Sequence, residues 1–172
     1  KYNWQEANKQ YLVTAISALK EEMLFFKKNQ DLHKQFKLSS DLQSKLENLE
    51  QEMQNPPALA QLADLFRLTS FEQKIVLMCA ASELDSDFVA LFSDNGDIQK
   101  RTTPSFGLAL SVFKDAHWSA LSPESVLRYW KLIEVTEPSS ITKSPLVINE
   151  QILHYLTGIQ HLDGALEGMV EP

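Results

Sequence analysis

The sequence is poor in the residues that form cross-links and tight turns. Its 172 residues include one cysteine, five glycines and seven prolines. A single cysteine excludes an internal disulfide and makes the reducing cytoplasm the expected compartment. So few glycines argue against an all-β protein, and a first half rich in Leu, Ala, Glu, Gln and Lys favours helix. We therefore expect a mainly helical, cytoplasmic protein.

Long hydrophobic runs are also missing. No stretch approaches the roughly 18 consecutive apolar residues of a membrane span, so we expect no membrane partner. No signal peptide is recognisable. Because the chain begins at Lys1 rather than at Met, we expect it to be a piece of a longer protein.

Positive charge is scarce in the larger part of the chain. The net charge is −7. Residues 1–55 carry eight Lys/Arg and eight Asp/Glu, whereas residues 56–172 carry eight and fifteen. Binding to nucleic-acid phosphates needs clustered cations. We therefore expect protein partners, and the charge disfavours nucleic acid as a partner.

Motifs for nucleotide binding and catalysis are absent from the sequence. Neither GxxxxGK followed by Ser or Thr nor GxGxxG occurs, so these residues form no P-loop. Asp115, His117 and Ser122 are the residue types of a hydrolase triad, but a turn and a helix N-cap would not align them in a relay. Cys79 lies in the apolar run KIVLMCAAS, which predicts a buried, unreactive thiol. We expect no catalytic residue and no cofactor in this fragment.

The sequence does not predict a metal site either. His154 and His161 are separated by Gly158, and no cysteine or acidic pair completes a ligand set around them. Asp85 and Asp87 lack the glycine and the distal glutamate of a calcium loop. These residues are expected to be ordinary surface, core or capping residues.

The first 55 residues predict a helical hairpin. From Tyr2 to about Asn29, apolar residues recur three or four positions apart on one helix face, and Leu12 and Ile16 widen this stripe. The residues with this spacing are Trp4, Ala7, Tyr11, Ala15, Leu19, Met23 and Phe26. Asp41 is the predicted N-cap of a second helix, with an apolar seam of Leu42, Leu46, Leu49 and Met53. The seam can pack on the first helix or against a partner chain, and packing inside the fold is favoured.

Residues 56–172 form the predicted second domain. Pro56 and Pro57 end one helix and suit the first turn of the next. Thr69 and Glu72 have the spacing of a capping box, which opens a core helix through the apolar run 75–81. Further helices are expected in DSDFVALF, before a turn at Asn95-Gly96, and in TPSFGLALSVF.

The stretch AHWSALSPESVLRYWKLIEV, residues 116–135, predicts a turn, a third helix and a strand. Ser122 is the predicted N-cap of that helix, with Pro123 in its first turn. A loop and the strand LVI follow, and Asn149 caps a last helix that Gly158 ends. This order is the layout of a winged helix. We therefore predict a mainly α fold in which an N-terminal helical hairpin precedes a winged-helix domain with a small β-wing.

The exposed residues of the third helix and of the wing loop are the candidate interaction residues: Ser125, Arg128, Tyr129, Lys131 and Lys143. A helix that reads DNA usually presents several Arg, Lys, Asn or Gln side chains. Residues 122–148 contain three cations and three acids, and only one of the cations is an arginine. Contact with protein is favoured, and a DNA-binding winged helix is the alternative.

Several phrases in fixed order carry a resemblance to a known family: PPALAQLADLFRLTSFEQKIVLMCAASELD, TPSFGLALSVF, AHWSALSPESVLRYWKLIEV and SPLVINEQILHYLTG. Together they resemble the winged-helix region that precedes the ATPase module in a group of prokaryotic AAA-type ATPases. That group includes ATPases encoded with contractile, phage-tail-like injection particles. The leading ANKQYLVTAISALKEEM resembles the amphipathic helix with which such proteins often open.

The resemblance implies a parent protein that continues into an AAA module, binds ATP and Mg²⁺ there and forms a ring. IQHLDGALEGMVEP would be the connecting helix. The implied partners are the downstream module and tail-particle proteins. Positions shared with the family include Phe71, Glu72, His117, Trp118, Arg128 and Trp130.

Three of these shared positions have an expected structural role. We expect Trp118 and Trp130 to be large apolar anchors. Arg128 is expected to bridge the third helix to an acidic group or a carbonyl. The favoured function is a non-catalytic N-terminal domain that positions or regulates the ATPase and recruits partners by protein–protein contact.

Overall fold

The computed structural model describes residues 3–29, 33–91 and 103–159. These ranges contain eight α-helices, one 3₁₀ helix and a two-stranded antiparallel sheet. In chain order the elements are α1 Trp4–Asn29, α2 Ser40–Glu52, α3 Ala58–Phe66, α4 Ser70–Leu84, α5 Ser86–Ala90, α6 Phe106–Val112, the 3₁₀ helix Trp118–Leu121, α7 Val126–Tyr129, β1 Ile133–Val135, β2 Leu146–Ile148 and α8 Glu150–Leu156.

Helix α4 is the centre of the core. Its N-terminus is closed by the predicted capping box, in which Thr69 Oγ1 accepts from Glu72 N and the Glu72 carboxylate accepts from Thr69 N. Every residue from Ile75 to Ala81 is buried, as the sequence predicts. Cys79 is among them, and burial raises the pKa of its thiol far above the ordinary value.

Helices α1 and α2 pack on each other as the predicted hairpin. The connection is fixed by Phe36, whose ring lies 5.4 Å from that of Phe25. The prediction that Asp41 is the N-cap of α2 is wrong. The cap residue is Ser39, and Asp41 lies in the first turn of the helix. Ser39 N and Oγ both donate to the Glu21 carboxylate, so a contact with α1 fixes where α2 begins.

Buried Asn8 joins three elements to one another. Its Oδ1 accepts from Ala58 N at the start of α3, at 2.8 Å, and its Nδ2 donates to the Leu156 carbonyl at the end of α8, at 3.1 Å. Side chains of α1 belong to the same hydrophobic cluster as those of α3, α4 and α8. The division into domains at residues 55 and 56 stays a prediction.

The two strands form the predicted small wing. Ile133 pairs with Ile148 and Val135 with Leu146. Asn149 then caps α8 by accepting from Gln151 N and Ile152 N, and Gly158 follows the helix with a φ of +87°. The mainly helical fold with a hairpin wing is therefore confirmed.

Some predictions concern residues outside the described ranges. These are the Asn95-Gly96 turn, the end of the helix in DSDFVALF and, apart from its first residue Ile159, the connecting helix in residues 159–172. Among the described helices, none combines the length and apolar character that a membrane crossing requires.

The loop between β1 and β2, which contains Thr142, is held against α6 by a close backbone contact. Gly107 N donates to the Thr142 carbonyl at 2.9 Å, and a Cβ at Gly107 would lie 2.8 Å from that oxygen. The wing is therefore expected to shift if residue 107 carries a side chain.

Gly107→Ala is expected to lower the free energy of unfolding by about 1–3 kcal/mol, because the loop must move away from α6. Urea unfolding measures this change. Exposed Gln51→Ala on α2 is the control and should stay within about 0.5 kcal/mol of the parent. Equal midpoints for both variants would contradict the contact.

Candidate protein interface

The third helix of the winged-helix layout, which is α7 in this structure, is much shorter than the sequence suggests. It was expected to start at Ser122, but Ser122 ends the 3₁₀ helix and α7 begins at Val126, with Ser125 as N-cap. Ser122 Oγ accepts from Glu124 N instead, which closes a local turn. This turn takes up the residues that would have formed the first turn of the helix, so α7 is a single turn.

Arg128 points back onto the turn that precedes α7. Its Nη1 donates to the Leu121 carbonyl at 2.7 Å. The expectation that Arg128 bridges to a carbonyl is thus confirmed. A guanidinium used in this way fastens α7 to the 3₁₀ helix.

Ser125 serves the backbone at the start of α7. Its carbonyl accepts from Arg128 N and Tyr129 N at 3.1 and 2.8 Å. Its Oγ is buried and has no hydrogen-bond partner within the described part of the chain. Of the five candidate interaction residues, Ser125 is therefore placed with its hydroxyl away from the surface.

Three aromatic rings form a row where α3 meets α7. Phe66 and Trp130 have ring centroids 6.0 Å apart, and Tyr129 lies 5.4 Å from Trp130 in an edge-on arrangement. Trp130 is partly buried against the core, as an anchor should be. Tyr129 keeps 51% of its surface exposed, so the outer end of the row is available for contact.

Phe66 and Trp130, the two rings in contact, are each followed by a cationic residue whose backbone is in the left-handed conformation. Arg67, after Phe66, has a φ of +52°, and Lys131, after Trp130, has a φ of +55°. The bonds Leu68 N to Ala63 O and Leu132 N to Leu127 O, both 2.9 Å, are those of a Schellman helix end. Glycine usually occupies this position, since a side chain there costs roughly 1–2 kcal/mol.

Lys143 lies on the exposed wing loop. The loop is organised by fully buried Ser144, whose Oγ accepts from Glu137 N at 2.8 Å and whose N donates to Ser140 O. Lys131 and Lys143 are both exposed, but one follows α7 and the other belongs to the loop between the strands. Together with balanced acids nearby, they do not form a cationic ridge along α7.

Trp118 departs from its expected role as an anchor. It is 67% exposed, at the first position of the 3₁₀ helix. The neighbouring core positions are filled by Ala120 and Leu121, which are buried.

Asp115, His117 and Ser122 bond to other described residues rather than to one another, so they do not form a catalytic triad. His117 Nε2 lies 2.7 Å from Thr69 Oγ1, and its Nδ1 lies 2.7 Å from Ser119 Oγ. Asp115 is bound to Lys74, and Ser122 bonds with Glu124. The histidine thus ties the 3₁₀ helix to the start of α4, which is a structural role.

A small charged cluster lies beside that turn. Lys74 Nζ contacts Glu22 Oε2 at 2.8 Å and Asp115 Oδ1 at 3.1 Å. Burial raises the pKa of Glu22, and the bond from Lys74 only partly opposes this. For Asp115 burial also raises the pKa, but the Ser70 hydrogen bond and Lys74 outweigh it, so its pKa is lowered.

Within the described ranges, no group of three or more His, Cys, Asp and Glu residues has a metal-binding arrangement. His154 Nε2 lies 3.4 Å from Glu150, one helical turn away. Asp85 forms an ion pair with Lys20. His161 lies outside the described ranges.

A helical core with a paired-strand hairpin after its third helix defines the winged-helix class. Residues 21–170 match the family model described as "Winged helix domain, variant", and the chain belongs to this family. Domains of this class are typically non-catalytic. No curated protein and no solved structure matches the chain significantly.

Arg128→Ala is expected to lower the free energy of unfolding by about 1–3 kcal/mol, because it removes a charged donor and leaves the Leu121 carbonyl without that bond. Lys143→Ala is the control and should change stability by less than about 0.5 kcal/mol. Urea denaturation followed by far-UV circular dichroism measures both. A harmless Arg128→Ala would mean that the guanidinium is free for other contacts.

Glu22 and Asp115, the two carboxylates that contact Lys74, are expected to make contributions to folding stability that change with pH in opposite directions. Asp115 stabilises the fold above the unfolded pKa of about 4, and this contribution is lost as pH falls through its lowered folded pKa. Glu22 contributes most below its unfolded pKa, and the contribution is lost as pH rises through the raised folded value.

At pH 7, Asp115→Asn should therefore lower the free energy of unfolding by at most about 1 kcal/mol, and this difference from the parent should become smaller as the pH falls. Glu22→Gln should be neutral or stabilising at pH 7, and its advantage should fade toward pH 4 to 5. Thermal unfolding from pH 3 to 8 measures both profiles. Parallel profiles would contradict the assignment.

Proposed function

We propose that this chain is the non-catalytic N-terminal winged-helix domain of a prokaryotic AAA-type ATPase. In this proposal it positions or regulates the ATPase and recruits partners by protein–protein contact. The support is the set of phrases in fixed order that resembles the region before the ATPase module, now joined by membership of a winged-helix family. ATP and Mg²⁺ would bind to the downstream module, which forms the ring.

One observation favours protein over DNA as the partner: α7 is a single turn, and its arginine is bound to the Leu121 carbonyl. A groove-reading helix needs several polar side chains directed outward over more than one turn. Residues 122–148 also have no excess of positive charge. DNA binding is therefore not favoured.

The exposed side chains near α7 suit a protein interface. Trp118 is 67% and Tyr129 51% exposed. Large aromatic side chains are enriched at such interfaces, where they bury much area with little loss of conformational freedom. Of the candidate residues, Tyr129, Lys131 and Lys143 are exposed, whereas Ser125 and Arg128 are only partly exposed. We assign the three exposed residues the contact with the ATPase module or a tail-particle protein.

The gene that encodes this chain provides the first test. Its continuation beyond the codon for Pro172 is expected to encode an AAA module with a P-loop. Isothermal titration of that module with this domain should give saturable binding, which Tyr129→Ala combined with Lys131→Ala weakens about tenfold or more. Gln51→Ala with Lys45→Ala on α2 is the matched control. A gene without an AAA module would contradict the proposal.

Duplex DNA tests the alternative. At about 50 mM salt, where phosphate-driven binding is strongest, we expect no micromolar binding. Micromolar affinity that falls steeply with added salt and disappears in Arg128→Ala would replace protein contact by DNA binding as the function.

A further inference from the structure

An open apolar groove lies between the first half of α1 and the end of α4. Its volume is about 540 Å³, and α1 lines it with Leu12, Val13 and Ile16. Leu84, the last residue of α4, and Ile159 also line it. Val13, Leu84 and Ile159 are 53%, 45% and 72% exposed. Three large aliphatic side chains are thus in contact with water around one groove, and an apolar segment that covered the groove would bury them.

The chain leaves α8 at this groove. Gly158 has a φ of +87°, and its N donates to the Tyr155 carbonyl at 3.0 Å. Ile159 N donates to the His154 carbonyl at 3.1 Å, which completes a Schellman helix end. A Cβ at Gly158 would lie 3.2 Å from Asn8 Nδ2, so this turn lies directly against α1. The turn places Ile159, the last described residue, in the lining of the groove, and the chain continues from there.

The 13 residues that follow Ile159, residues 160–172, lie outside the described ranges, and we name them the C-terminal segment. Its apolar residues have the i, i+3, i+4, i+7, i+8 spacing of one helix face: Leu162, Ala165, Leu166, Met169 and Val170. A helix of this length is marginal in water on its own, and Gly164 and Gly168 weaken it further. The segment therefore needs a surface that covers its apolar face, and the groove where it begins is such a surface.

We propose that the C-terminal segment folds back as an amphipathic helix and docks in the groove of its own molecule, with its apolar face on Val13 and Leu84. As a helix, the segment would be about 20 Å long. The part of α1 that borders the groove, from Lys9 to Ser17, spans about 12 Å. The segment is therefore long enough to cover the groove, and burial of both apolar surfaces stabilises the docked state.

The charge of the segment agrees with one orientation in the groove. The segment contains no lysine or arginine, and its acids follow one side of the apolar stripe: Asp163, Glu167 and Glu171. On the α1 wall of the groove, exposed Lys9 has no hydrogen bond or ion pair with a described residue. On the α4 wall, Asp85 is paired with Lys20. A helix that turns its acidic side toward α1 gains attraction from Lys9 and keeps its acids away from Asp85.

Hydrogen exchange of the full chain, followed by mass spectrometry, tests the docking. Amides of residues 160–172 should exchange at least about tenfold more slowly than those of the same peptide free in solution, because so short a helix is protected only when it is packed. Exchange at the rate of the free peptide would overturn the proposal.

Variants of the groove should release the segment. Val13→Glu with Leu84→Glu places charge on the apolar lining and should return residues 160–172 to the rate of the free peptide. Leu24→Glu with Leu65→Glu is the matched control, since both leucines are 46% exposed and neither lines the groove. The control should keep the protection of the parent, and equal loss in both variants would contradict docking in the groove. Unchanged exchange of the α4 amides shows that each variant is folded.

A single charge reversal tests the orientation. Lys9→Glu should lower the protection of residues 160–172 by about twofold to fivefold, as expected for an exposed ion pair. Lys28→Glu, at an exposed position near the other end of α1, changes the net charge equally and should leave the protection unchanged. Equal losses in the two variants would overturn the orientation of the acidic side toward Lys9.

Crosslinking shows whether the segment occupies the groove of its own molecule. Val13→Cys with Leu166→Cys, treated with a short bismaleimide, should give a crosslinked monomer. Cys79 does not compete, because it is buried and burial raises the pKa of its thiol. Leu24→Cys with Leu166→Cys is the control and should crosslink about tenfold less, since the two thiols are not held together. Covalent dimers in place of crosslinked monomers would assign the groove to a second copy and overturn the proposal.

This docking goes beyond the proposed function and does not rest on it, since it depends only on the groove and on residues 160–172. If the gene lacks an AAA module but the segment is protected and crosslinks within the monomer, the proposed function fails and the docking stands. An unprotected segment beside an encoded AAA module gives the reverse result.

Discussion

The need to enclose α4 governs the rest of the structure. A helix whose residues from Ile75 to Ala81 are all buried is stable only when neighbours cover every side. The cover comes from α1, α5 and β2, which lie far apart in the sequence. The N-terminal hairpin and the wing are thereby held against the same helix. Asn8 adds polar links among α1, α3 and α8, with each buried hydrogen-bonding group of its amide satisfied.

The shape of the third helix connects fold to function. The 3₁₀ helix and the turn after it use up chain that would otherwise lengthen α7, and Arg128 fastens the two pieces together. What remains outside is aromatic surface and two scattered lysines rather than a row of hydrogen-bonding side chains. A winged-helix fold can thus keep its architecture while its third helix loses the length and charge that groove reading needs.

The ends of α4 give the molecule a direction. One end carries the contacting rings of Phe66, Trp130 and Tyr129, and the other carries exposed Leu84 beside a groove that Lys9 and the Lys20-paired Asp85 also line. The directional character follows from where α3, α7 and α8 end around the central helix.

The sequence by itself determined the features that depend on near neighbours in the chain. The Thr69–Glu72 capping box, the Asn149 cap and the apolar stripe of α1 were all predictable, because periodicity and short-range hydrogen bonds are written in adjacent residues. The start of α7 was not, since Ser122 and Ser125 are equally good caps and contacts with the 3₁₀ helix decide between them. Only the tertiary structure showed that Trp118 is exposed while Ala120 and Leu121 are buried, because all three are apolar residues and the sequence does not say which of them meets the core. It alone placed Arg67 and Lys131 in left-handed backbone, since packing of Phe66 on Trp130 fixes how both helices end.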